Sequence, residues 1–253
     1  LDRVDEIVAR LVHIEMKVDR LIARDVDGSA GHPDQFFGGV TYAQHGDDMI
    51  ALCLFHSMGI VRPSYLDIGA HHPTDISNTA LLHKRGSRGI NVEPNPNLFK
   101  EFLSKRPDDV NLNVGVAGVS GRLTFYMIDE RSGRNTFDRG VAEAFVAKHP
   151  EFSIRREVDI DVLTINEVVD KYSKGVFPDF LSIDVEGLDV DIIESMDVST
   201  SRPKVICVEV DNAVGGAAAA KIRAALTCRG YVCLVRAVSN LFFVDRAFLG
   251  AVT

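Results

Sequence analysis

Two short apolar runs of the chain each end in residues that can hold a nucleoside. The first run, residues 65–68, contains Asp67 and is followed by Gly69, and the second, residues 89–92, is followed by Glu93. A helix-compatible segment separates them, so the pattern predicts a βαβ unit of an open α/β sheet. There the glycine allows a close backbone approach, and the acid accepts hydrogen bonds from ribose hydroxyls.

The residues after Gly69 argue against a dinucleotide. The G-x-G-x-x-G pattern needs small residues at all three positions because the pyrophosphate lies against the backbone, and this chain has His71 and Thr74 at the second and third. S-adenosylmethionine carries no phosphate and needs only one close approach and one ribose acid. The pattern therefore favours a methyl donor over NAD, with an ordinary βαβ unit that binds no ligand as the alternative.

Further carboxylates end two later apolar runs. Asp184 and Glu186 follow the run at residues 180–183, and Glu209 and Asp211 end the next one. Parallel strands end at the same edge of a sheet, so these groups are expected to converge there. Glu209 and Asp211 are two residues apart and would face the same side of an extended segment.

Converging carboxylates suit a hard divalent ion such as Mg²⁺, which can bind acceptor hydroxyls and lower the pKa of the attacking one. Asp184, Glu209 and Asp211 are the predicted metal ligands; a simple role as helix caps is the alternative.

A hydroxyl acceptor also needs a general base. Glu186 is the first candidate, and His45, His71 or His72 is the second, because imidazole has a suitable pKa. A structural role for the histidines is the alternative.

The elements that position these residues alternate between strand and helix. Thr164 and Glu167 predict a capping box at the start of one helix. The last two strands, at residues 231–236 and 241–244, are predicted to form a hairpin, which gives a mostly parallel sheet with an antiparallel edge strand. Residues 129–156 form an excursion that is either a lid or substrate loop or a plain surface segment.

The N-terminus carries a different pattern. Apolar residues recur three and four apart within residues 1–26, as in short heptads, and predict an amphipathic helix that makes the protein a homo-oligomer. Packing of this helix on its own domain is the alternative. Residues 27–40 are predicted to be a linker, and residues 41–253 the main domain.

Composition limits the class of protein. A chain of 253 residues with 46% hydrophobic and 25% charged residues is typical of a globular α/β domain. Its formal net charge of −8 argues against nucleic acid as a partner. No apolar run reaches transmembrane length, so no integral membrane contact is expected. The four cysteines lack C-x-x-C spacing and are interpreted as buried free thiols of a cytoplasmic protein.

Four segments together resemble the FkbM family of S-adenosylmethionine-dependent methyltransferases. They are YAQHGDD from Tyr42, YLDIGAHHP with SNT, RGINVEPNP, and FLSIDVEG, and the resemblance covers roughly residues 41–211. It implies a Rossmann-like class I methyltransferase sheet of seven strands. It also implies O-methylation of sugars and natural products, with Mg²⁺-dependent members in the family.

The cofactor-binding residues are expected at the βαβ unit and at neighbouring strand ends. The predicted set is Asp67, Gly69, Ala70, His71, Asn78, Glu93, Pro94, Asn95, Val116, Ala117 and Asp184. Val116 and Ala117 enter because the turn after the third strand usually covers the adenine in this fold.

The leading hypothesis is methyl transfer from S-adenosylmethionine to a hydroxyl of a glycan, glycolipid or glycosylated small molecule. A metal-independent methyltransferase with another small acceptor is one alternative. A non-catalytic scaffold with a degenerate methyltransferase fold is the other.

Overall fold

The computed structural model describes residues 40–210 and 215–251. Contacts divide the chain into residues 1–41 and 42–253, and almost all described residues belong to the second unit. The predicted N-terminal helix (residues 1–26), nearly all of the predicted linker and Asp211 lie outside the described residues.

Strands and helices alternate along the described chain. The strands are β1 (Tyr65–Ile68), β2 (Gly89–Val92), β3 (Val110–Leu112), β4 (Gly115–Val116), β5 (Gly121–Met127), β6 (Arg156–Leu163), β7 (Phe180–Ile183), β8 (Val205–Glu209), β9 (Tyr231–Arg236) and β10 (Asn240–Asp245). The helices are α1 (Asp47–Ser57), α2 (Ala80–Lys84), α3 (Pro96–Lys105), α4 (Arg139–Lys148), α5 (Ile165–Ser173), α6 (Asp189–Ser195) and α7 (Gly215–Cys228), followed by a 3₁₀ helix (Arg246–Ala251).

Seven strands form the main sheet, in the order β3-β2-β1-β7-β8-β10-β9. The pairs from β3 to β8 are parallel, whereas β10 runs antiparallel to β8 and to the edge strand β9. The predicted class of sheet is therefore confirmed, and β9 and β10 form the predicted hairpin. The structure adds that β10 lies inside the edge, because β9 forms the outer strand.

One face of this sheet changes from apolar to polar along the strands. Strand residues two apart share a face, so the strand register defines rungs of neighbouring side chains. Across β1, β7 and β8 the rungs are Tyr65, Phe180 and Val205; then Asp67, Ser182 and Cys207; and then, just past the paired β1 and β7 residues, Gly69, Asp184 and Glu209. The first rung packs with α1 in an apolar cluster, and the last carries the functional groups at the carboxyl edge.

β4, β5 and β6 form a separate three-stranded sheet in the order β4-β6-β5. The excursion between β5 and β6 contains α4, which begins where the Asp138 side chain accepts a hydrogen bond from the backbone N–H of Val141. This excursion matters for the site because its first part, residues 129–138, reaches back to the carboxyl edge of the main sheet.

Local sequence signals explain several helix starts. Thr164 and Glu167 form the predicted reciprocal capping box on α5. Asn95 caps α3 by accepting a hydrogen bond from the backbone N–H of Asn97, and Pro96 occupies the first turn. Asn95 is thereby fixed directly after the second strand of the βαβ unit.

The cysteines are free, as expected, but the expectation of burial holds only for Cys207. Cys53 and Cys228 are exposed because each falls on the solvent side of its helix. Among the described residues, no helix combines the length and the apolar content needed to cross a membrane.

Candidate cofactor and acceptor site

Gly69 forms the turn at the end of β1, and the structure explains why a side chain is excluded there. Its φ of +77° lies in the left-handed region, and an added Cβ would stand 1.8 Å from the backbone oxygen of Asp184. The close approach is thus to the end of β7 and brings the two strand ends together. The glycine therefore also serves the packing of the protein itself, which the sequence pattern does not indicate.

The backbone amides of this turn are used within the protein. The N–H groups of Gly69 and Ala70 donate to the Val92 carbonyl at 3.0 and 3.1 Å, and the N–H of His71 donates to Glu93 Oε2 at 2.7 Å. Phosphate-binding turns offer such amides to the anion. The turn therefore has no anion cradle at these three residues, which agrees with the expectation that the ligand is not a dinucleotide.

Glu93 is held in one orientation by two backbone groups. Oε2 accepts from the N–H of His71, and Oε1 accepts from the N–H of Asn95, both at 2.7 Å. The side chain is 5% exposed and lines a cavity, and its burial raises the carboxyl pKa to about 8. Each oxygen keeps acceptor capacity toward the cavity, as a pair of ribose hydroxyls requires.

Asp67 lies in the next rung, beneath the turn, and belongs to a buried network. Its Oδ2 accepts from Thr79 Oγ1 at 2.6 Å, and the Arg106 guanidinium donates to the same hydroxyl at 3.1 Å. Arg106, itself 1% exposed, also binds Asp109 at 2.8 Å and Tyr65 Oη at 2.6 Å. Burial raises the pKa of Asp67, and the nearby Arg106 charge opposes that rise. The network fixes the floor of the cavity.

Apolar groups line the side of the cavity that faces the smaller sheet. The Phe125 and Phe137 rings lie 4.8 Å apart beside Val116. Gly115 makes room for this wall, because an added Cβ would stand 2.5 Å from Phe137 Cζ. The wall can hold a flat, largely apolar base.

The cavity brings together most of the predicted cofactor residues. Those that line it are Asp67, Gly69, Ala70, His71, Asn78, Glu93, Pro94, Asn95, Val116 and Asp184. Asn78 is oriented by donating from Nδ2 to Ser182 Oγ at 3.1 Å. Among the described lining residues Val116 is present and Ala117 is not; Ala117 is buried next to it.

Three carboxylates meet at the carboxyl ends of β7 and β8. Asp184, Glu186 and Glu209 each offer an oxygen within 4.8 Å of the other two. Burial raises the pKa of Asp184 well above its ordinary range, and the Glu209 charge raises it further. The cluster can share a proton or accept a cation. Asp211, the other predicted ligand, lies outside the described residues.

Residues 129–138 bridge the cavity between its two ends. The Glu130 carbonyl accepts from Asn95 Nδ2 at 3.0 Å on the Glu93 side. On the carboxylate side, Thr136 Oγ1 donates to the Glu186 carbonyl at 2.7 Å, and Arg134 Nη1 lies 3.2 Å from Glu186 Oε1. Asn135 ties this segment to the end of β5, because its side chain accepts a hydrogen bond from the backbone N–H of Ile128 at 2.8 Å. The excursion therefore roofs the site, an arrangement that suits the lid interpretation.

Arg134 and Phe137 are cavity residues that the sequence interpretation missed. Both lie in an irregular segment without strand or helix periodicity, and their partners are distant in sequence. The one available signal was the basic and aromatic content of SGRNTFDRG, from Ser132, in the excursion proposed as a lid.

The three candidate histidines occupy different places. His71 lines the cavity in a left-handed conformation with φ of 53°, and burial lowers the pKa of its ring. His72 is buried, with Nδ1 accepting from the N–H of Asp75 at 2.9 Å and Nε2 lying 2.8 Å from Glu101. Its two ring nitrogens thus hold the loop in place. His45 is exposed and is not among the described lining residues.

The sheet order and the acidic carboxyl edge define the class of this protein. A seven-stranded sheet with β10 inserted antiparallel next to the edge, a glycine turn after β1 and an acid after β2 is a Rossmann-like methyltransferase fold.

The family follows from comparison with known proteins. The model of the Methyltransferase FkbM domain matches residues 67–233, more than half of the chain, so the chain belongs to the FkbM methyltransferase family. A similar solved structure is Methyltransferase FkbM from Methylobacillus flagellatus KT, with 13% identity and a TM-score of 0.44. The similarity covers 72% of this chain and 43% of that one, so this chain spans less than half of its length. No curated protein matches the chain.

Proposed function

We propose that this protein transfers a methyl group from S-adenosylmethionine to a hydroxyl of a sugar, in a glycan, glycolipid or glycosylated small molecule. The main support for this proposal is the placement of Glu93. Its two oxygens are fixed by backbone N–H groups, and it lines a cavity that also has an apolar wall at Phe125 and Phe137. A ribose and a base fit this arrangement, and the turn at Gly69 offers no amides to a phosphate.

The acceptor hydroxyl belongs beside Asp184, Glu186 and Glu209. When bound, S-adenosylmethionine supplies an electrophilic methyl group, and the protein must place the acceptor oxygen in line with it. The carboxylates lie next to the turn at Gly69 and can accept hydrogen bonds from vicinal hydroxyls. A substrate with several hydroxyl groups can donate hydrogen bonds to all three carboxylates, whereas an apolar substrate cannot.

A divalent ion such as Mg²⁺ fits the same carboxylates. Asp184, Glu186 and Glu209 would hold it, because their oxygens converge and a cation would favour the ionised form of Asp184, which burial disfavours. When bound, the ion would lower the pKa of a coordinated hydroxyl. The Arg134–Glu186 contact supports the metal-independent alternative, since a guanidinium already neutralises part of this charge.

In the metal-independent form Glu186 is the proposed general base, with His71 as the second candidate. Glu186 has a φ of +52°, a strained conformation for a residue with a side chain, which keeps its carboxylate beside Asp184. Burial lowers the pKa of His71, which favours the neutral form of the ring that a general base requires.

Calorimetry with S-adenosylhomocysteine, followed by turnover of S-adenosylmethionine with sugar acceptors, tests the proposal. We expect binding by the wild-type protein and loss of turnover in Glu186→Gln with binding retained. Absence of binding would favour the scaffold alternative. Full activity in excess EDTA, without a response to added Mg²⁺, would rule out the role of the metal and support the metal-independent alternative.

A further inference from the structure

We propose that Arg134 binds the α-carboxylate of the cofactor's methionine moiety, which adds one side chain of the excursion between β5 and β6 to the cofactor site. This inference rests on the proposed function and goes further, because it identifies a binding residue outside the βαβ unit. The α-carboxylate is the one anionic group of the ligand, and the cavity that would hold it is lined by acids.

The cavity is strongly acidic. Five carboxylates line it, namely Asp67, Glu93, Asp184, Glu186 and Glu209. Among the described lining residues, Arg134 is the sole lysine or arginine. Arg134 is therefore the lining side chain that can meet a carboxylate with a positive charge, and a guanidinium binds carboxylates with two parallel hydrogen bonds.

Backbone amides do not provide an alternative at the first turn. The N–H groups of Gly69, Ala70 and His71 all donate within the protein. Farther along the same loop, the N–H groups of Thr74 and Asp75 donate to the ring of His72 at 3.2 and 2.9 Å.

Backbone N–H groups of the second turn, after β7, also donate within the protein. The N–H of Asp184 donates to the Ile68 carbonyl at 3.0 Å. Those of Val185 and Gly187 lie 3.3 Å from the two oxygens of Asp189. The backbone N–H groups of these residues in both turns are therefore already hydrogen-bonded, which favours a side chain as the donor to the anion.

Arg134 stands between these two turns. The residue before it, Gly133, lies against the first turn, since an added Cβ would be 3.9 Å from the His71 ring. Arg134 itself contacts the second turn through Nη1, at 3.2 and 3.5 Å from the two oxygens of Glu186. No other described residue accepts from its Nε or Nη2, so one edge of the guanidinium remains available to a ligand.

Residues 129–138 are held in place by contacts that do not involve the Arg134 side chain. Thr136 is fully buried and anchors the segment to the Glu186 carbonyl, and Asn135 braces it to Ile128. The Arg134 side chain is 53% exposed. Its replacement should thus leave the roof folded and remove only the charge and its donors.

Two ligands separate this role from a general effect on the site. S-adenosylhomocysteine carries the carboxylate, whereas 5′-methylthioadenosine has the same base and ribose and lacks the amino-acid portion. We would measure both by calorimetry on the full chain for wild type, Arg134→Met, Arg134→Lys and Arg131→Met. Arg131 is the matched control, because it lies in the same segment, is 62% exposed and pairs with Glu101.

The expected result is a roughly 10- to 100-fold loss of S-adenosylhomocysteine affinity in Arg134→Met, the effect of removing charge-assisted hydrogen bonds. Its affinity for 5′-methylthioadenosine should stay at the wild-type value, which also shows that the variant is folded. The S-adenosylhomocysteine affinity of Arg134→Lys should lie between those of wild type and Arg134→Met, and Arg131→Met should match wild type.

Each other outcome overturns the inference. Equal losses for both ligands would assign Arg134 to the structure of the roof, and no loss for either would remove it from the site. If wild type binds neither ligand, the proposed function fails and this inference with it. If wild type binds both and Arg134→Met keeps both, the function stands and only the role of Arg134 is wrong.

Discussion

Glu93→Gln tests most directly whether the acid after β2 holds a ribose. Both Glu93 oxygens accept a backbone N–H at 2.7 Å. A glutamine has the same size, but its amide nitrogen would face one of those two donors. It would also leave only one oxygen for two hydroxyls.

The size of the effect follows from the hydrogen bonds lost. A hydrogen bond to a charged group contributes about 1.5–3 kcal/mol, so two ribose hydroxyls on a carboxylate amount to at least about 3 kcal/mol. We therefore expect affinity for 5′-methylthioadenosine to fall roughly 100-fold in Glu93→Gln. The same substitution at Glu130, an exposed carboxylate bonded to Asn97, should leave the affinity unchanged.

The pH dependence gives an independent check. Burial raises the pKa of Glu93 to about 8 in the free protein, and only the ionised carboxylate accepts from both hydroxyls. Apparent affinity scales with the ionised fraction, which is about 1% at pH 6 and one half at pH 8, so affinity should rise about 50-fold between them. 5′-Methylthioadenosine is the appropriate ligand, because it lacks the amino and carboxyl groups that would add their own charge effects.

Stability without ligand should change with pH in the opposite direction. A carboxyl with a raised folded-state pKa contributes stability that is fully present below about pH 4.5 and is lost as pH rises through about 8. Urea unfolding should show this loss in wild type and a smaller one in Glu93→Gln. A flat affinity profile from pH 6 to 8 in wild type, or wild-type affinity in the glutamine variant, would refute the ribose assignment.

Two further predictions concern the framework of the site. Gly69→Ala should destabilise the protein by more than about 2 kcal/mol in urea unfolding, because its Cβ would collide with Asp184; Gly59→Ala, with a similar φ of +71° and open space, should cost only about 1 kcal/mol, and equal costs would contradict the collision argument. Arg106→Met should cost about 3–5 kcal/mol because it leaves buried charge unpaired, whereas Arg88→Met at an exposed ion pair should cost less than about 1 kcal/mol; similar values would show that the buried network contributes little.

The sequence was sufficient for the parts of the fold that depend on strand ends. Asp67, Glu93, Asp184 and Glu209 each stand at or just after a short apolar run, and parallel strands place such residues at one edge. Strand register then places them along one edge of the sheet without any information on distant contacts. The hairpin of β9 and β10 and the capping box at Thr164 were predictable for a similar reason, since both are local.

Contacts between distant irregular segments were not predictable in the same way. Arg134 meets Glu186 across 52 residues, from a segment with neither helical nor strand periodicity. The placement of β5 and β6 in a separate sheet was equally hidden, because their alternation indicates half-buried strands but says nothing about which sheet they join.

The carboxyl groups that line the cavity should couple binding of the methyl donor to the release of protons. Burial raises the pKa of Asp67, Glu93 and Asp184, so a positive charge in the cavity would stabilise their ionised forms. The proposed methyl donor, S-adenosylmethionine, is positively charged at sulfur, and its demethylated product is neutral there. Because linkage is reciprocal, a ligand that prefers ionised carboxylates must release protons when it binds. The donor should therefore release more protons than the product does, and methyl transfer, by removing the sulfur charge, would itself weaken the hold of the cavity on the product.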